Sequence, residues 1–166
     1  SLGIASVAAC TPAEFEVDFV DDRIHPVDRH LPEADLYALS FFTPAASRAL
    51  EIADMIRARG KPVVAGGIFP TTMPEEVAGR VDALVIGEGE PVWEQVCRDA
   101  AAGRLQPRYQ AQAPAALDSL PPPRVELYLK AEDATFAPDD YPLQVSRGCP
   151  FHCDACAVPL CMGNRI

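Results

Sequence analysis

The sequence predicts an α/β protein built on a mainly parallel sheet. Two observations carry this. Short, nearly continuous apolar runs alternate with helical patterns between residues 35 and 102. Strands covered by helices on both faces read this way. Three of the apolar runs also end in loops rich in glycine or hydroxyl groups. In open parallel sheets, ligands bind at the carboxyl ends of strands, near the topological switch point.

The elements follow in order. Residues 2–10 are Ala-rich and helical in character, and Pro12 stops them. Phe15, Val17 and Phe19 alternate with Glu16 and Asp18, which predicts a half-buried strand over 15–20. Residues 35–42 form an apolar strand candidate. Ala46, Ala49, Leu50, Ala53 and Ile56 recur at three- and four-residue spacing, predicting an amphipathic helix over 45–59. Gly60 caps it and Pro62 follows. A strand over 62–66, a Gly-Gly turn, and a short helix from Pro74 come next. Glu75 and Glu76 in its first turn suit the positive end of the helix dipole. A strand over 82–86 leads into Gly87-Glu88-Gly89-Glu90 and a helix over 91–102, stopped by Gly103. Since α/β units open with a strand, a further strand is expected ahead of the first helix, and the chain reads as a fragment of something longer.

The organisation is then an α/β domain over 1–105, a Pro-rich linker over 106–141, and the opening of a second domain over 142–166, with a first strand at 142–146. The 17 prolines concentrate toward the end of the chain and interrupt every periodic pattern in the linker.

Charge narrows the partners. The net charge of −10 argues against nucleic acid or an anionic membrane as the main partner, since both want clustered Lys and Arg. No run is long and apolar enough for a membrane span. No export signal is legible, so a cytoplasmic location is expected. His25 and His30 read as surface histidines, and Cys10 and Cys97 as small core residues.

The chemistry concentrates in the cysteines. Four of the six fall between Cys149 and Cys161. Cys149, Cys153 and Cys156 have C-x3-C-x2-C spacing in a loop after a predicted strand. Three thiolates on a tightly curled loop can wrap one face of a [4Fe–4S] cluster and leave one iron open. His152 reads as a spacer in that loop. A structural zinc site is the alternative, with Cys161 as fourth thiolate. At the sheet, the candidate ligand loops hold Ser40 and Thr43, then Gly66 and Gly67, then Gly87, Glu88, Gly89 and Glu90. The two glutamates argue against a phosphate cradle, and no dinucleotide or P-loop fingerprint is present.

Ser146-Arg147-Gly148-Cys149-Pro150-Phe151-His152-Cys153-Asp154-Ala155-Cys156 resembles the opening of the radical S-adenosylmethionine (SAM) barrel. The succession of Ser40, Gly66-Gly67, Gly87-Glu88-Gly89-Glu90 and a Pro-rich linker resembles the cobalamin-binding domain that precedes this barrel in one class of the superfamily. That resemblance implies a flavodoxin-like sandwich, here without its first strand, followed by a truncated barrel. It implies cobalamin bound by Ser40, Thr43, Gly66, Gly67 and the turn from Gly87 to Glu90. It implies cluster ligation by Cys149, Cys153 and Cys156, with Arg147 and Gly148 shaping the turn. The cofactors implied are a [4Fe–4S] cluster, SAM and cobalamin. The partners implied are a small-molecule substrate and an electron donor to the cluster. The implied reaction is methyl transfer through a 5′-deoxyadenosyl radical and methylcobalamin, and the fragment alone is expected to be inactive. Ala155 departs from the bulky residue usual before the third cysteine. The alternative is a non-catalytic α/β small-molecule-binding module with a structural zinc knot held by four cysteines.

Overall fold

The structure, a computed structural model, describes residues 2–131, 143–151 and 153–164, without the side chains of 129–131. A four-stranded sheet lies at its centre: β1 (Tyr37–Ser40), β2 (Val63–Gly66), β3 (Ala83–Ile86) and β4 (Arg108–Gln110). The strands are all parallel and lie in chain order. Tyr37 sits opposite Val63, Val64 opposite Ala83, and Leu84 opposite Arg108. The parallel α/β sheet expected from the sequence is therefore present.

Alternation along β2 and β3 builds the two cores, because successive side chains of a strand point to opposite faces. Val63, Ala65, Leu84 and Ile86 join Ala49, Ile52, Ala53 and Ile56 of α2 (Ala46–Ala58). Val64, Ala83 and Val85 join Trp93, Val96 and Cys97 of α5 (Glu90–Ala101), with Val7 of α1 (Leu2–Ala9) against them. Both central strands are covered on both faces, which explains their unbroken apolar runs. Gly60 ends α2 at φ 72°, in the left-handed region that favours glycine. The Trp93 indole N–H donates to Thr11 Oγ1 at 2.8 Å, tying α5 to the end of α1.

Four expectations are corrected. Residues 15–20 are not a strand. The alternation of burial is real, but no neighbouring strand among the described residues offers a ladder. The apolar side chains find other partners: Phe15 packs on the α5 core, and Phe19 meets Tyr128 edge-to-face at 4.8 Å. The fourth strand is instead β4, inside the expected linker. It has one buried residue, Tyr109, too few to produce a pattern. Its hydroxyl donates to Asp99 at 3.0 Å and accepts from the Gln106 N–H at 2.8 Å. The linker also holds α6 (Glu126–Ala131). A helix the sequence hid behind a proline, α3 (Ile68–Thr72), comes before α4 (Pro74–Val77). Residues 143–146 form no strand, and Leu143 and Val145 are 86% and 87% exposed; among the described residues no strand pairs with them. The cysteine segment ends in α7 (Val158–Met162). Residues 132–141 of the expected linker, Pro142 and His152 lie outside the described residues.

Candidate ligand cavity and cysteine segment

The carboxyl ends of β1, β2 and β3 open onto one cavity of about 590 Å³. Its floor is the sheet, at Ala38, Val64 and Val85. α1 and Trp93 wall one side, and residues 143–147 with Cys161 and Met162 border it from the cysteine segment. A cleft of this size with mostly apolar walls and a few polar groups is ordinary for a small-molecule or cofactor site.

Glycines make the rim. Gly67 follows β2 at φ 99°. A Cβ there would stand 2.9 Å from the Phe41 carbonyl oxygen and 3.1 Å from Ser40 Oγ. The ends of β1 and β2 thus approach too closely for any side chain. Gly87 leaves β3 at φ 75°, and its N–H donates to Thr71 Oγ1 at 3.0 Å. A Cβ on Gly89 would meet Val7 Cγ2 of α1 at 3.1 Å.

Of the residues singled out in the sequence, Ser40, Gly66, Gly67, Gly87, Glu88, Gly89 and Glu90 all line this cavity. Thr43 does not. It opens a 3-10 turn (Thr43–Ala45) and is exposed beyond the lining. Phe42, Ile68 and Thr71 lay inside the candidate loops without being named as site residues and also line the cavity, whereas the α1 residues that line it were not legible. Thr71 stood in the glycine loop, so its proximity to Gly67 was a usable signal. The contribution of α1 depends on packing across the sheet, for which no local pattern exists.

The two glutamates have partners. Glu90 Oε1 accepts from Arg147 Nη2 at 2.6 Å. Glu88 Oε1 accepts from Arg147 Nη1 at 3.3 Å, and its Oε2 accepts from the Ala115 N–H at 2.6 Å. All three side chains are largely buried, at 11% exposure for Arg147, 8% for Glu88 and 4% for Glu90. Burial works against the Arg147 charge. The hydrogen bond and attraction of Glu90, then those of Glu88, outweigh it and raise its pKa. Arg147 thus reaches back to the sheet end as well as preceding the turn at Gly148.

None of the six cysteines is paired in a disulfide. Cys149 is half-buried and its N–H donates to the Gly163 carbonyl at 3.2 Å. Cys153 and Cys156 are exposed, and the Cys156 N–H donates to the Cys153 carbonyl at 3.0 Å. Cys161 borders the cavity, and burial, then nearby Cys156, pushes its thiol pKa up. Cys97 is buried and its thiol is pushed up to about 11 by desolvation. Soft thiolates suit iron–sulfur or zinc by their chemistry. Among the described residues, no three His, Cys, Asp or Glu side chains converge as a metal site.

The B12-binding domain family matches residues 1–96, more than half of the chain. The chain belongs to the B12-binding domain family. The match spans the sheet through β3, the glycine rim and most of α5, so the cavity lies within the B12-binding domain except for its cysteine-segment border. The residues present fit such a cofactor: the rim at Gly66, Gly67, Gly87 and Gly89 carries no side chains, and the floor is apolar. The chain is 31% identical over 166 residues to a bacteriochlorophyllide d C-8(2)-methyltransferase of Chlorobaculum tepidum, covering 99% of this chain and 37% of that protein. It is 28% identical to the C-12(1)-methyltransferase of the same organism, again over 99% of this chain and 36% of that protein. It is 30% identical to an uncharacterized methyltransferase of Synechocystis, over 99% of this chain and 30% of that protein. The chain thus spans about a third of the length of these curated relatives. A solved N-terminal domain of a hypothetical Thermotoga maritima protein aligns with a TM-score of 0.45 at 21% identity, over 59% of this chain and 78% of that one. Among the described residues no helix is long and apolar enough to cross a membrane.

Proposed function

We propose that this chain is the N-terminal part of a cobalamin-dependent radical SAM methyltransferase. One observation carries the reading. The cavity of a B12-binding domain is bordered by the segment that holds Cys149, Cys153 and Cys156. The similarity to named methyltransferases over 99% of the chain supports it.

Cobalamin would lie in the cavity, with Ser40 offering a hydroxyl and the Gly66-Gly67 and Gly87–Glu90 turns offering backbone at close range. Phe42 and Ile68, 51% and 41% exposed, supply an apolar edge to the same site. Cys149, Cys153 and Cys156 would hold a [4Fe–4S] cluster. When bound, these groups supply a transferable methyl group and, with SAM, a radical that activates the methyl acceptor. The chain's own residues would bind and orient the cofactors. Two of the curated relatives are named for bacteriochlorophyllide methylation, so a tetrapyrrole is the acceptor class to try first. The electron donor and the cytoplasmic location belong to the same proposal.

A second reading rests on Cys161, which follows Cys149, Cys153 and Cys156 in the same short segment. Four thiolates could then hold a structural zinc. Metal and sulfide analysis of anaerobically purified protein separates the two. Iron and sulfide at about four each per chain, lost in Cys153→Ala, is the expected result for a cubane cluster. One zinc without sulfide, dependent on Cys161, overturns the radical reading.

A further inference from the structure

We propose that Arg147 is a positioning residue: its guanidinium, seated between Glu88 and Glu90, holds the cysteine segment against the cavity and couples its seating to ligand binding there. The coupling rests on the cofactor reading above; the seating does not.

The geometry carries the seating. Glu88 and Glu90 lie two residues apart in one turn, and both carboxylates are more than nine-tenths buried. Two buried like charges repel strongly unless a cation lies between them. The guanidinium fork supplies that cation with one nitrogen for each: Nη2 to Glu90 at 2.6 Å and Nη1 to Glu88 at 3.3 Å. A lysine offers only a point charge and cannot reproduce the fork. Glu90 has further support from its place in the first turn of α5. The Ala115 N–H on Glu88 pins the connecting chain to the same turn at 2.6 Å. Arg147 lies two residues before Cys149 and itself borders the cavity, with Leu143 and Val145 beside it. Those two apolar side chains are 86% and 87% exposed, so they do little to seat the segment. The far end of the segment packs through α7 against α3, and the ion cluster holds the end that leads into Cys149.

The test uses hydrogen–deuterium exchange of residues 143–151 and titration with hydroxocobalamin, both on the purified protein. R147M leaves two buried carboxylates without their cation, so the triple variant R147M/E88Q/E90Q accompanies it. Exchange over 143–151 should rise, and hydroxocobalamin affinity should fall, by about tenfold in both variants, a typical size for coupling between sites. β2 and β3 should exchange as before. R147K should fall between wild type and R147M. Unchanged exchange over 143–151 in the triple variant overturns the seating role. Faster exchange with unchanged affinity overturns the coupling. A wild-type protein that takes up no hydroxocobalamin overturns the cofactor reading and the coupling with it, while the exchange arm still decides the seating.

Discussion

Thr71 Oγ1 accepts the Gly87 N–H at 3.0 Å, so the helix after β2 holds the turn after β3. Thr71 is buried and both residues border the cavity. One side chain therefore sets the distance between two loops that would face the same ligand.

Thr71→Val keeps the shape and removes the acceptor. A partly buried N–H left without a partner costs about 1–3 kcal/mol. The urea midpoint of Thr71→Val should drop accordingly, and Thr71→Ser, which keeps the oxygen, should retain most of the stability. Equal midpoints for wild type and Thr71→Val would show that the bond holds nothing.

Two glycines with left-handed backbone separate strain from crowding. Gly60 has φ 72° and nothing within 4 Å of a built Cβ. Gly67 has φ 99° and the Phe41 carbonyl oxygen at 2.9 Å. Gly60→Ala should cost about 1 kcal/mol, the conformational penalty alone. Gly67→Ala should cost at least about 2 kcal/mol more, because backbone must move as it does in overpacked sites. Paired denaturation curves read the difference, and hydroxocobalamin uptake should fail only in the second variant.

Acid should loosen the loop over 21–30. Arg48 donates to Asp22 at 2.8 and 2.9 Å and to Asp28 at 2.9 Å. Hydrogen bonding from Arg48 holds the Asp22 carboxyl below the usual carboxylate range, against its partial burial. A lowered folded pKa stabilises above the unfolded value, near 3.9, and that stability disappears as pH falls through the folded value. Asp22→Asn should therefore lower the melting temperature at pH 6, and the gap to wild type should close below about pH 4. A gap that persists to low pH would assign the effect to packing.

Thiol labelling should sort the cysteines by place. In iron-free protein at pH 8, Cys153 and Cys156 are exposed and should react promptly with an aromatic disulfide reagent. Cys97 is buried and its thiol is pushed up to about 11, so it should react only on unfolding. Mass mapping of labelled peptides checks the order.

Local signals made much of the fold legible. The apolar runs of β1, β2 and β3, the three-and-four spacing of α2, and the glycine stops at Gly60 and Gly103 depend on nearest neighbours along the chain. So did the gathering of Ser40, Gly67 and Gly87, because parallel strands put their carboxyl ends on one side of a sheet. Pairing was not legible in the same way. The alternation of Phe15, Val17 and Phe19 matches a strand, yet a strand exists only when a neighbour supplies its hydrogen bonds, and here Tyr128 and the α5 core take the Phe19 and Phe15 side chains instead. Tyr109 shows the converse: three residues with no pattern become a strand because β3 offers an edge and Asp99 a partner for the hydroxyl. The roles of Glu88 and Glu90 turned on the same distinction. Their acidity against a phosphate could be read from the letters, but their bond to Arg147, nearly sixty positions away, is a fact of three-dimensional proximity, and charges that far apart in sequence leave no periodic trace.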